Sequence, residues 1–321
     1  MYFVTQVQIF FNKCSHFIND NIISTEEKIM RKVIIGLFLF FVSQILFAQA
    51  VQFEDYFIDK TMRVDFFQVG DSREEFITLD QVYKHDVWAG NPKNLLDPFQ
   101  NGSYYVKVYD VASNKLIYSR GFGSIFREYQ TTTEAMEGVK KTFHESALIP
   151  FPRNPIRFVI ESSDKKNVYH PVFVHQIDPS DVNIIYEGSN PNDRVYEALK
   201  NGDPHNHVDL AWIGEGYSAA QYDLFKADVD RYVEFFFSIE PYKSHKDKFN
   251  VFGVFRASPE SGVDQPTKGI FKRTSVHASF NALDTERYML IDDNKAFRDV
   301  ASNVPYDAAV IMVNIDRDVR A

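Results

Sequence analysis

Hydrophobic and polar residues alternate along the first half of the chain that follows residue 50. In Gly102–Tyr109 every second side chain faces the same way, and the polar turn Ala112–Lys115 leads into a second run, Leu116–Tyr118. Because successive side chains of a strand point to opposite faces, this pattern predicts a β-hairpin. The same alternation occurs in three other runs: Met62–Val69, Ile156–Ile160 and Val168–Ile177. Several short strands with no clear helical stretch among them predict a β-sandwich.

The pattern changes in the second half of the chain. Val208–Ile213, Phe249–Phe255 and Ala308–Val313 are short runs in which apolar residues dominate. Between the first two, apolar residues recur at helical spacing from Tyr222 to Phe236, and Ser218 can cap this helix. Buried strands that alternate with helices predict an α/β domain with a largely parallel sheet.

Together the two patterns predict a multidomain α+β protein. We expect a β-sandwich over residues 51–180 and an α/β domain over residues 181–321. The last apolar strand ends at Val313–Asn314 and is followed only by Ile315–Ala321, which is too short to add a loop and a covering helix. The α/β domain is therefore expected to be incomplete, with apolar surface and an unpaired edge.

The N-terminal region has the order of segments found in a secretory signal peptide. Basic Met30–Lys32 precedes the apolar run Val33–Val42, and small residues follow at Ala48–Ala50. Residues 30–50 are therefore predicted to be a signal peptide, and residues 1–29 an upstream extension of the true start.

The predicted signal peptide indicates where the protein is located and bears on whether it has a membrane anchor or disulfides. A membrane anchor is the alternative, but Ser43 and Gln44 interrupt an apolar run that is short for a spanning helix. We therefore expect a secreted or periplasmic protein that begins at Met30 and is not membrane-bound after cleavage. The only cysteine, Cys14, precedes that start, so disulfides are excluded. A net charge of −9 disfavours nucleic acid as a partner.

A glycine-rich turn offers one candidate for cofactor binding. Gly214–Ala219 fits G-x-G-x-x-A between a predicted strand and helix, and Arg256 could meet a 2′-phosphate. However, Glu215 would place a carboxylate near the pyrophosphate, and nicotinamide cofactors are scarce outside the cell. We favour a tight strand-to-helix turn in which glycine supplies unusual backbone angles.

Histidines and serines give no clear catalytic or metal site. His144–Leu148 begins like H-E-x-x-H but has leucine at the second ligand position, within a strand-like run. The two histidines of His205–His207 are interpreted as solvated loop residues, and His170 and His175 should lie on opposite faces of a strand. Glu260–Gly262 lacks the first glycine of a nucleophile elbow. Taken alone, these residues assign no catalytic, cofactor-binding or metal-binding position.

An ordered set of segments resembles the M64 peptidase family, the IgA peptidases. The resemblance covers nearly the whole chain after residue 50, including the strands around Thr142–Pro152, which are similar to the family's β-rich N-terminal domain. The segments similar to its catalytic domain are His207–Ser218 with the "GEGY" turn, Phe225–Phe237, Glu240–Val251, Ser258–Gly262, Arg287–Leu290 and Val313–Asn314.

The resemblance implies a zinc-dependent endopeptidase that acts on protein substrates. In this family H-E-x-x-H follows a glycine-rich loop after the strand that corresponds to Val313–Asn314. Ile315–Ala321 contains neither feature, so no family ligand can be placed on a residue here. We therefore expect an inactive fragment that binds no zinc. The alternative is a non-catalytic exported protein that binds protein or glycan through the β-sandwich.

Overall fold

The structure is a computed structural model that describes residues 51–186, 188 and 190–315. The upstream extension, the signal peptide and Cys14 lie outside these residues, so those sequence interpretations stay predictions. The chain from Val51 onward belongs to one compact unit. Within the described ranges, no helix is both long enough and apolar enough to span a bilayer.

The first half of this unit is built mainly from strands. Residues 51–186 contain three short α-helices and eight strands. In chain order they are α1 (Phe53–Tyr56), β1 (Phe57–Gly70), β2 (Glu75–His85), β3 (Tyr104–Asp110), β4 (Leu116–Phe122), α2 (Ile125–Tyr129), α3 (Thr133–Met136), β5 (Lys141–Pro152), β6 (Ile156–Ser163), β7 (Tyr169–Ile177) and β8 (Ile185–Tyr186).

These strands form two four-stranded sheets, ordered β5-β1-β2-β8 and β4-β3-β6-β7. One face of each sheet contributes to a common apolar core, which confirms that the alternating runs build packed strands. The predicted hairpin is present as the antiparallel pair of β3 and β4. Core residues from the first sheet include Met62, Val64, Phe66 and Ile149, and those from the second include Val106, Val108, Phe158 and Ile160.

The second half adds the predicted α/β sheet. Residues 190–315 contain six strands and two α-helices, which are β9 (Arg194–Leu199), β10 (Val208–Glu215), α4 (Tyr222–Phe236), β11 (Phe249–Phe255), β12 (Ala278–Phe280), β13 (Met289–Ile291), α5 (Asn294–Ala301) and β14 (Ala308–Val313). The main sheet has the order β14-β10-β11-β9. β10 runs parallel to both β11 and β14, and β9 is antiparallel.

Helices cover both faces of the central strands. Phe225 and Val229 of α4 pack on one face of the sheet, in a cluster that contains Trp212 and Phe255. Phe297 and Val300 of α5 belong to a second cluster, with Ile213 and Val254 on the opposite face. Among the described residues β14 forms one edge of this sheet, where the side chain of Val310 is 44% exposed.

Polar contacts join the two halves through α5. The Asn294 amide donates hydrogen bonds to Ser146 Oγ, at 3.0 Å, and to His144 Nδ1, at 3.1 Å. Arg63 Nη2 donates to Asp299 Oδ1 at 2.8 Å. Because Arg63, His144 and Ser146 lie on β1 and β5, these bonds fix α5 against the first sheet of the sandwich.

Candidate functional site

The carboxyl ends of the parallel strands meet at one edge of the α/β sheet. Glu215 of β10 pairs with Val313 of β14, and Gly214 pairs with Phe255 of β11. Open α/β sheets bind ligands in the crevice beyond this end of their strands. We call the loops there the carboxyl edge, which comprises Gly214–Ser218, Ser258–Gly262, Thr274–Ala278 and Asn314.

Glu215 is the buried anchor of the carboxyl edge. One of its carboxylate oxygens accepts hydrogen bonds from Ala278 N, at 2.9 Å, and from Thr274 Oγ1. The other accepts from Ser275 Oγ, at 2.6 Å, and from Val276 N, at 3.0 Å. Each oxygen therefore has two donors, and the side chain is 0% exposed. Glu215 holds a loop in place and is not a free general base.

Gly216 lets the "GEGY" turn and the Ser258–Gly262 loop approach each other closely. Its N–H donates to Ser258 Oγ at 3.1 Å, and its carbonyl oxygen accepts from the Gly262 N–H at 3.0 Å. Its φ is +75°, and a Cβ atom here would lie 2.5 Å from the Gly262 carbonyl oxygen. Only glycine meets both requirements. The "GEGY" turn and the Ser258–Gly262 loop are thus adjacent in space.

Asn314 ties the end of β14 to the same loops. Its N–H donates to the Glu215 carbonyl oxygen at 2.9 Å, and its amide donates to the Gly216 carbonyl oxygen at 2.9 Å. The same amide lies within 3.1 Å of Ser261 Oγ and 3.3 Å of Gln221 Oε1. Three segments that are distant in sequence therefore form one hydrogen-bonded platform, from which the chain continues beyond β14.

The geometry of the Gly214–Ala219 turn argues against a nucleotide-binding site. A Cβ atom at Gly214 would lie 2.9 Å from the ring of Phe225, so this glycine permits close packing of α4 on β10. Arg256 is held in a two-point ion pair, with Nε at 2.8 Å and Nη2 at 2.7 Å from the carboxylate oxygens of Asp193. Neither the glycine nor the arginine is available for a phosphate.

Asp65, Asp80 and His144 are the group of potential metal ligands found within the described residues. His144 Nε2 lies 3.2 Å from Asp80 Oδ2, while Nδ1 accepts from the Asn294 amide, so Nε2 carries the proton toward Asp80. Asp65 lies 3.1 Å from Arg63 Nε. To bind zinc through Nε2, His144 would have to carry its proton on Nδ1, where that proton would face the donor amide of Asn294, and the guanidinium of Arg63 would repel the ion. The group therefore does not fit zinc. His144 and Glu145 also lie in β5, whereas H-E-x-x-H needs a helix to bring its two histidines together.

The prediction that His205 is solvated is wrong. Its side chain is 20% exposed, and its Nε2 lies 3.3 Å from Asp59 Oδ2. Its Nδ1 lies 3.0 Å from the Gly90 carbonyl oxygen. Both partners belong to the sandwich half, which packs over the turn before β10, and sequence gives no sign of this packing. His207 stays local, with Nδ1 2.9 Å from the Asp203 carbonyl oxygen.

The amino end of the parallel strands, opposite the carboxyl edge, holds a buried acidic pair that sequence analysis did not single out. Asp209 Oδ1 accepts from Asn250 Nδ2 at 2.8 Å, and the Asp209 N–H donates to Asp307 Oδ2 at 2.9 Å. Asp209 Oδ2 is buried and has no hydrogen-bond partner among the described residues. Burial, reinforced by the charge of Asp307, raises the pKa of Asp209 to about 6. The feature of the sequence that could have indicated this pair is the single aspartate, Asp209, within the otherwise apolar run Val208–Ile213.

Comparisons with known proteins agree with this arrangement. The family model described as Peptidase M64 N-terminus matches residues 52–174, which contain the sandwich strands β1 to β6 and most of β7. The model described as IgA Peptidase M64 matches residues 196–318, which contain the carboxyl edge. A search of curated proteins finds no match for this chain. The two family matches follow each other in order, and the chain belongs to the M64 peptidase family.

Proposed function

We propose that the protein derives from a secreted or periplasmic, zinc-dependent endopeptidase that acts on protein substrates. The observation that carries this proposal is the platform at the carboxyl edge. There the "GEGY" turn, the Ser258–Gly262 loop and Asn314 are hydrogen-bonded to one another, although they lie far apart in sequence. These are the segments that resemble the family's catalytic domain.

The 321 residues themselves are proposed to be inactive as a peptidase. They contain no H-E-x-x-H, and the Asp65, Asp80 and His144 group does not fit zinc. The carboxylate of Glu215 is engaged by four donors and cannot serve as a base. On this proposal the platform is a hydrogen-bonded frame that supplies none of the zinc ligands of the family.

The protein recovered from its own cells provides the test of the family activity. Antibodies raised against the 321-residue chain would be used to capture the protein from separated cytoplasmic and exported fractions. We expect capture from the exported fraction and casein cleavage that 1,10-phenanthroline stops and zinc restores. Pre-immune serum is the control. Recovery only from the cytoplasm would contradict the proposed compartment, and cleavage indifferent to the chelator would contradict the proposed metal.

A further inference from the structure

A cavity of about 550 Å³ lies between the sandwich and the α/β half. Its walls come from β1, β4 and β5 on one side and from α5 and the segment before β14 on the other. This volume is typical of sites that bind small organic ligands. Much of the wall is apolar, and its larger side chains are Trp88, Tyr118, Phe122, Leu148 and Phe297.

Two arginines in the wall have buried N–H groups without acceptors. The Arg63 side chain is 1% exposed; its Nη2 bonds Asp299, but its Nη1 has no hydrogen-bond partner among the described residues. Arg298 Nη1 donates to the Tyr306 hydroxyl at 3.3 Å, whereas its buried Nε has no partner in the same set. A buried donor without an acceptor is costly. An oxygen anion in the cavity would remove that cost.

The charges around the cavity favour a single negative charge on the ligand. Arg120, an exposed residue, also lines the cavity and adds a third guanidinium. Arg63 is itself paired with Asp65 and Asp299, and two further carboxylates, those of Asp86 and Asp307, line the cavity together with His85. The two carboxylates would repel a dianion such as phosphate more strongly than a monoanion. The planar guanidinium matches the geometry of a carboxylate.

We propose that this cavity binds a monocarboxylate attached to an apolar body. The carboxylate accepts hydrogen bonds from Arg63 and Arg298, and the body contacts the aromatic wall. The site is separate from the carboxyl edge, because Asp307 and Ala308 lie at the amino end of β14. Five strand steps, or about 16 Å, separate Ala308 from Val313. The C-terminal residue of a peptide and a free aromatic acid share this chemistry.

Binding of four probes to the 321-residue chain tests the proposal by calorimetry. The probes are 3-phenylpropionate, its uncharged amide, the tripeptide Ala-Ala-Phe with a free carboxylate, and inorganic phosphate. We expect 3-phenylpropionate to bind at least about tenfold more tightly than the amide and than phosphate. Tighter binding of the tripeptide would identify a peptide terminus as the ligand, and equal or weaker binding would identify a small acid. Equal affinity for 3-phenylpropionate and its amide would overturn the proposal, as would no binding by either carboxylate.

Matched variants locate the site. Arg298→Gln should weaken 3-phenylpropionate binding at least about tenfold, because a charged donor is lost. Arg231→Gln is the control, since Arg231 is exposed on α4 and pairs locally with Asp228. Unchanged affinity in Arg298→Gln would contradict the assignment.

Tryptophan fluorescence gives a second readout that does not depend on Arg298→Gln folding. The chain has two tryptophans, of which Trp88 lines the cavity and Trp212 does not. Saturating 3-phenylpropionate should change the emission of the wild type and of Trp212→Phe, and leave that of Trp88→Phe unchanged. A change that persists in Trp88→Phe would place the ligand elsewhere.

Discussion

Replacing Asp209 by asparagine should stabilise the protein at neutral pH. Asp209 is 0% exposed, and its Oδ2 has no hydrogen-bond partner among the described residues. Its Oδ1 accepts from Asn250 Nδ2 at 2.8 Å. Asparagine keeps that acceptor and the side-chain shape and carries no charge, although its Nδ2 takes the place of the unpartnered Oδ2 and offsets part of the gain. The substitution therefore removes the cost of holding a buried carboxylate beside Asp307.

The size of the effect follows from the pKa of Asp209. Burial raises this pKa from 3.8 to about 6. The folded protein thus holds the proton at a higher pH than the unfolded chain, so stability falls as the pH rises from 3.8 through 6. A shift of about two units corresponds to about 3 kcal/mol of unfolding free energy. At pH 7.5 the whole cost is present in the wild type and absent from Asp209→Asn.

Urea unfolding between pH 4 and pH 7.5 measures this difference. At pH 7.5 the unfolding free energy of Asp209→Asn should exceed that of the wild type by up to about 3 kcal/mol. Its stability should also fall much less than that of the wild type as the pH rises. Part of that fall remains, because burial also raises the pKa of Asp307. Asp55→Asn, at an exposed position of α1, is the control. A variant less stable than the wild type at pH 7.5, or one with the same pH dependence, would refute the reasoning.

Three further substitutions test the platform and the contact between the halves. Glu215→Gln replaces one carboxylate oxygen by an amino group that faces two donors and should cost about 3 kcal/mol in urea unfolding; a cost below about 1 kcal/mol would contradict the anchoring role. Gly216→Ala should lower the melting temperature more than Gly262→Ala, because both have positive φ but only Gly216 lacks room for Cβ; equal effects would exclude the close approach. Asn294→Ala should cost about 1–2 kcal/mol, whereas exposed Asn192→Ala should cost little; similar values would show that the contact through α5 is not stabilising.

Alternation along the sequence predicted β1, β3, β6 and β7, but it did not single out β2 and β5, which are longer than the last three. β1, β3 and β6 each place alternate residues in the sandwich core, so their period of two is visible in the sequence, whereas β7 contributes only Ile177 as a buried residue. The short helices α2 and α3 were missed, because four or five residues are too few to show a helical period. Their starts are instead set by caps, in which the side chains of Ser124 and Thr132 accept from backbone N–H groups.

The roles of polar residues could not be predicted, because their partners are distant in sequence. Arg63 meets Asp299 across 236 positions, and His205 meets Gly90 across 115. The resemblance to M64 peptidases identified three of the four segments of the carboxyl edge, but not Thr274–Ala278. It did not show that Glu215 is buried and fully hydrogen-bonded, since that depends on how the Thr274–Ala278 loop folds over it.

Zinc content and casein cleavage, measured on the purified 321-residue chain, test the central claim most directly. The chain would be dialysed against zinc, analysed for bound metal by mass spectrometry, and incubated with casein with and without 1,10-phenanthroline. We predict no stoichiometric zinc and no cleavage, because the described residues contain no H-E-x-x-H and their group of Asp65, Asp80 and His144 does not fit zinc. One bound zinc per chain, with cleavage that the chelator abolishes, would contradict the account.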